Sequence, residues 1–157
     1  MGNLYFENPE STFLVSHRKA LSHHMPVSHF HSTYEIYVLM SGEREFFIQD
    51  RTITILEGDV VIIAPNVLHR TTNAQRPKHE RLIINMHAQY FSVDGTHEEV
   101  LQPILQRDYL ILKGSLRTRE LIDMQTRAIM HEMRERENGF ELFAQTLAVQ
   151  LLIMCCR

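Results

Sequence analysis

Short β-favouring runs separated by turn residues fill the chain up to about residue 86, and a helical period takes over beyond residue 118. Strands are predicted over residues 12–16, 34–41, 43–49, 52–56, 60–64, 69–72 and 81–86. Ile53 and Ile55 share one face of the fourth. Residues 60–64 are continuously apolar, which predicts a strand covered on both faces. Asp50-Arg51, the segment from Glu57 to Asp59, and Pro65-Asn66 read as turns. Residues 17–31 are polar and rich in histidine, with Pro26 against any helix, and residues 73–79 read as a loop. Strands this short and this evenly spaced predict a β-sandwich or small barrel.

After the strands, residues 96–106 predict a short helix around Pro103, or two turns broken by it, and residues 109–113 one more strand. Residues 118–137 carry a helical stripe of Leu121, Ile122, Ile129 and Met133. Asp123 with Arg127, and Glu132 with Arg136, stand four apart with the acid first, which supports a solvated opposite face. Asn138-Gly139 predicts a left-handed helix stop. Residues 140–157 form a second helix whose last two turns are apolar nearly all round. Such a helix must be covered on every side. A barrel covers one face, so a partner subunit or a further domain is expected on the other, with Leu147 and Leu151 in the contact. The sequence stops inside this helix without a polar tail, and the chain is expected to be a fragment of something longer.

The 157 residues are 44% hydrophobic, ordinary for one globular domain. Sixteen Lys plus Arg against nineteen Asp plus Glu give a net charge of −3, which argues against gripping nucleic acid unaided. Cys155 and Cys156 are neighbours and make no disulfide framework, so a reducing cytoplasm is expected. Residues 1–10 lack the features of a secretory signal. Their segment NLYFE resembles part of a protease-cleavage tag but departs from it, and they are set aside as a tag or disordered leader. Residues 11–113 are then the barrel and 114–157 the helical element. The apolar run 147–156 is too short to span a bilayer.

The chemistry concentrates in His29-x-His31-x3-Glu35-x6-Gly42. On an extended backbone these odd-numbered residues point two imidazoles and a carboxylate the same way, and Tyr37 and Leu39 continue that face. Gly42 is expected to turn the chain and end the strand. His69 follows the Pro65-Asn66 turn and heads a strand that a small barrel can place opposite. His29, His31, Glu35 and His69 form a donor set for a divalent transition metal: zinc, nickel, iron, copper or manganese. The same residues, metal-free, equally make the polar lining of a pocket. His23 and His24 are expected in a solvated loop, and His17, His79, His87, His97 and His131 on the surface. Met124, Met130, Met133 and Met154 read as core or interface filler, Arg134 to Glu137 as a solvated helix end, and the two cysteines as inert buried thiols.

The first of these segments is similar to the first cupin motif at every ligand position. The second, Gly58 to Asn73, is similar to the second cupin motif through Gly58, His69 and Asn73. Ala64 stands where proline is expected there, and Asn66 where glycine is. With the helical pair that follows, the chain resembles the N-terminal domain of AraC-type transcription regulators. That resemblance implies a mainly β fold: a cupin-type (double-stranded β-helix or jelly-roll) small barrel followed by two C-terminal α-helices. It implies a barrel that senses a small effector, such as a sugar, an aromatic acid or another metabolite, with His29, His31, Glu35, Tyr37 and His69 as effector contacts. It also implies a homodimer through the helices, and DNA contact only through a helix-turn-helix domain absent from these residues. The alternative is a metal-dependent cupin enzyme, a dioxygenase or isomerase, for which the ligand set speaks. No separate acid–base pair stands at recognisable spacing.

Overall fold

The computed structural model describes residues 3–23, 31–91 and 98–157. His29, His24 and His97 lie outside them. Eight strands come in the order β1 (Leu4–Glu7), β2 (Phe13–Ala20), β3 (Tyr34–Ile48), β4 (Arg51–Leu56), β5 (Val60–Ile63), β6 (His69–Asn73), β7 (His79–Met86) and, after a helix, β8 (Tyr109–Leu112). The helices are α1 (Glu98–Leu105), α2 (Leu116–Glu135) and α3 (Phe140–Cys156), with a 3-10 turn at Ala88–Tyr90. The architecture is an antiparallel β fold followed by two C-terminal helices.

The 15-residue strand β3 organises the sheet. Its first half pairs with β5 on one side and β7 on the other, and its second half pairs with β4 and β6. Two strands predicted on either side of Gly42 are therefore one. Gly42 does not end the strand. It sits within it at φ +89°, opposite His79, where a side chain would collide with the Lys78 carbonyl oxygen. Only glycine takes that conformation and that approach without strain. Just before it the register with β7 slips by one, from Leu39 opposite Arg81 to Ser41 opposite Glu80. This bulge leaves Met40 unpaired and reverses which residues face inward. Tyr37 and Leu39 point into the barrel before it, and Phe46 and Ile48 after it.

The two faces of the sheet feed two cores. Inside the barrel, Tyr37, Leu39, Phe46, Ile48, Ile55, Val61 and Ile63 pack together. On the outer face, Val15, Ile36, Val38, Ile62, Leu82 and Ile84 meet the helices. Residues of β5 are buried on both faces, as their unbroken apolar run predicted.

Two expectations fail at the N-terminal end. Residues 4–7 were set aside, yet β1 pairs antiparallel with β2 at the edge of the sheet. Strand β2 also runs on to Ala20, into the polar, histidine-rich segment, and buries His17, which was expected on the surface. His79 is buried too, at the start of β7. Their alternation within strands, not their polarity, decides their burial.

The helical end also differs from expectation. The last turns of α3 are covered within the chain: Ala148, Leu151, Leu152 and Cys155 join the outer-face core together with Leu101, Ile104, Ile122 and Ile129. Helices α1 and α2 supply the cover for which a partner was expected. Leu151 is 0% exposed, so it belongs to the core of one chain and not to a contact between chains. The left-handed residue ending α2 is Arg136, at φ +49°, and Gly139, at φ +83°, precedes α3. Asp123 and Arg127 pair at 2.9 Å. Arg136 instead lies over the rings of Phe6 and Phe140 and donates to the Met133 and Tyr5 carbonyls.

Candidate functional site: a histidine and carboxylate cluster at a barrel cavity

His31, Glu35 and His69 converge, with one potential ligand atom of each lying within 4.8 Å of the others. Glu35 sits between the rings: its Oε1 is 3.6 Å from His31 Nε2 and its Oε2 is 3.4 Å from His69 Nε2. The two imidazoles are 5.7 Å apart, centre to centre.

The convergence arises differently from the expected strand alternation. Glu35 is on β3, but His31 precedes the strand, which begins at Tyr34. What fixes His31 is a tertiary bond: the Asn66 amide donates to the His31 carbonyl at 2.6 Å. Asn66 holds φ +65°. It occupies the position where the resemblance expects glycine, and asparagine is among the few residues that tolerate this conformation. The departure in the second motif is thereby harmless. His69 opens β6, and its Nδ1 donates to the Val67 carbonyl at 2.8 Å, which directs Nε2 at Glu35. A carbonyl oriented behind the ring in this way is the usual support of a ligating histidine. Burial by itself would push the His69 pKa down. The Glu35 carboxylate, through its hydrogen bond and charge, and the Val67 carbonyl outweigh burial and hold it above its ordinary value.

The cluster opens onto a cavity of about 200 Å³ within the barrel. Tyr37, Thr71, Ser16, Ile83, Asn85 and Tyr5 of β1 also line it. Of the five residues singled out as effector contacts, His31, Glu35, Tyr37 and His69 all line this cavity, and His29 lies outside the described residues. Leu39 is core.

Two arginines behind the cavity were not anticipated. Arg44 is 1% exposed; it donates to the His23 carbonyl, to Asn73 Oδ1 and to Thr71 Oγ1, and its Nε has no partner among the described residues. Arg81, also buried, donates to the carbonyl and hydroxyl of Ser16. Burial pushes the Arg81 guanidinium down to about 10. In sequence Arg44 sits in a Glu-Arg-Glu run that reads as solvated. The available signal was parity, since Arg44 keeps step with Phe46 and Ile48, and Arg81 with Ile83. His23 lies beside these cations. Burial, then the charges of Arg18, Arg44, Arg81 and His79, lower it to about 4.

A second polar centre joins the barrel to the helices. Asp59, fully buried, accepts from the Leu56 amide, from Lys113 Nζ at 2.5 Å and from Arg119 at 3.4 Å. Arg119 also donates to the carbonyls of Glu57 and Gly114. The turn before β5 is thus tied to the first turns of α2.

An antiparallel barrel with imidazoles and a carboxylate lining an interior cavity, and helices packed on its outer face, defines a cupin-type ligand-binding domain. The model of the AraC-like ligand binding domain family matches residues 12–152, and the chain belongs to that family. Among solved structures, the AraC-like transcriptional activator CuxR is similar over 97% of this chain and 54% of its own, at 10% identity and a TM-score of 0.63. Apo ToxT from Vibrio cholerae is similar over 94% of this chain and 55% of its own, at 11% identity and a TM-score of 0.59. A cupin protein from Bacteroides fragilis is similar over 59% of this chain and 84% of its own, at 23% identity and a TM-score of 0.50. At these identities the likeness is one of fold alone. The chain spans about half the length of the two regulators. Comparison with curated proteins gave no match. No described helix is long and apolar enough to cross a membrane.

Proposed function

We propose that this chain is the effector-sensing domain of an AraC-type transcription regulator, binding a small metabolite in the barrel cavity. The observation that carries the reading is the His31, Glu35 and His69 cluster opening onto that cavity inside an AraC-like ligand-binding fold. Two imidazoles and a carboxylate, one imidazole braced by a carbonyl, fit a divalent transition metal such as zinc, nickel, iron, copper or manganese. His31, Glu35 and His69 would hold it, and it would supply a Lewis-acidic anchor for an effector oxygen.

The output is a change in the helices, relayed to a helix-turn-helix domain of the longer regulator, in the cytoplasm. Strand β3 carries Glu35 and Tyr37 on the cavity face and Ile36 and Val38 against the helices, and Asp59 clamps the neighbouring turn to α2. A ligand acts through this route only by binding two arrangements unequally. Dimerisation through the helices is part of the proposal. It is supported by Leu121 and Met124 on α2 and Leu142 and Phe143 on α3, which remain exposed.

The test is a thermal-shift screen of sugars, diols and small acids, with and without each metal, on wild type and His69→Ala. A ligand- or metal-induced rise in melting temperature that the variant loses is expected. A rise undiminished in His69→Ala removes the site assignment. The ligand set by itself also favours a second reading, a metal-dependent cupin enzyme. Oxygen uptake with the iron-loaded chain and a small diol or thiol would select it.

A further inference from the structure

The interior of the barrel is electrostatically unbalanced. Arg44 and Arg81 are both buried, and among the described residues no carboxylate pairs with either. Among the described residues their acceptors are neutral: the carbonyls of His23 and Ser16, the Asn73 amide oxygen, and the hydroxyls of Thr71 and Ser16, with the Tyr37 hydroxyl also facing Arg44. Arg18, on the Ser16 side of β2, adds a third cation nearby. Glu35 is the carboxylate whose charge reaches Arg81, and it is already engaged between two imidazoles. Taking a guanidinium out of water is costly unless an opposite charge or a full set of hydrogen bonds compensates. Among the described residues Arg44 finds neither, because its Nε is buried without a partner there. A fold that needed only packing here would stand more firmly on apolar side chains of similar volume.

The arginines are also in the right place. Ser16 and Thr71, which accept from Arg81 and Arg44, line the cavity next to Tyr37. The guanidiniums thus stand one side chain behind this part of the lining, and both act on Tyr37. Planar guanidinium donors are matched to carboxylates, and in a site of low polarity their attraction is strong.

We propose that the effector is an organic anion, a small carboxylic acid whose carboxylate lies at the Tyr37, Ser16 and Thr71 end of the cavity and neutralises Arg44 and Arg81. This rests on the sensing function proposed above and narrows its ligand from metabolites in general to acids. The cavity of about 200 Å³ suits a body about the size of benzoate. A neutral sugar or amide of the same shape leaves the buried cations uncompensated and binds more weakly.

The experiment uses matched pairs on the intact chain: benzoate with benzamide, and hexanoate with hexanamide, alongside neutral L-arabinose. Thermal shift and calorimetry read binding. Acids are expected to raise the melting temperature and their amides to fail. Arg81→Gln is expected to weaken acid binding by about tenfold or more, from the loss of one buried positive charge behind the carboxylate. Without ligand it should melt no lower than wild type, since an uncompensated cation has been removed; a purely structural arginine would show the opposite. The acid and amide comparison needs no variant, so a misfolded Arg81→Gln leaves the proposal testable. Amides binding as well as acids, or arabinose binding where no acid does, would overturn the anion and leave the sensing pocket standing. Failure of every acid, amide and sugar to bind would count against both.

Discussion

His23 shows what the barrel interior does to a single side chain. Its imidazole is half-buried beside several cations and is lowered from 6.5 to about 4. A base depressed in the folded state binds fewer protons there than in the unfolded chain. Its contribution to stability is complete above about pH 6.5 and is lost as the pH falls toward about 4. His79, lowered by burial and then by Arg44, Arg81 and Arg18, though its bond to the Pro77 carbonyl opposes this, acts in the same direction. The melting temperature should therefore drop across that interval, and His23→Asn should flatten the drop. An identical slope in the variant would remove His23 from the account. Asn66 makes the complementary point about backbone: a residue that looks like a departure from a motif keeps its one essential property, a left-handed φ of 65°.

At the scale of elements, β3 and its bulge carry the argument. A strictly alternating strand would have sent Arg44 to the outside with Ile36 and Val38. The slip between Leu39 and Ser41 turns it inward instead, and Gly42 makes the slip affordable at a point where β7 presses close. Gly42→Ala is expected to cost about 1–3 kcal/mol in chemical denaturation, from a left-handed φ and a collision with backbone that cannot retreat. The change should also weaken ligand binding, because Arg44 depends on the same register. A variant as stable as wild type would show that the strand has another way through the bend.

For the whole molecule, the question is which apolar surface serves the chain and which serves an assembly. Leu151 lies in a core shared by the sheet, α1, α2 and α3, so Leu151→Ala should lose about 2–5 kcal/mol of stability with no specific effect on association. Leu121 and Met124 are exposed on α2. Replacing both with glutamate should leave folding intact and abolish the helix-mediated dimerisation proposed above, read by sedimentation equilibrium. A dimer that survives this change would move the interface elsewhere.

Much of the outline was legible in order along the chain. The short strands around Ile53, Val60 and Ile84 and the helical period through Ile122 and Ile129 are local patterns, and they led to a barrel and two helices. Local pattern works there because strand and helix periods are properties of neighbouring residues. It fails where the deciding partner is distant in sequence. The Asn66 amide places His31, the Lys78 carbonyl forbids a side chain at residue 42, and α1 with α2 covers the end of α3. Arg44 is the sharpest case: its neighbours in sequence are solvated acids, and only the bulge opposite β7 brings it into the barrel. Period alone does not reveal a one-residue slip, because the slip is set by what lies across the sheet.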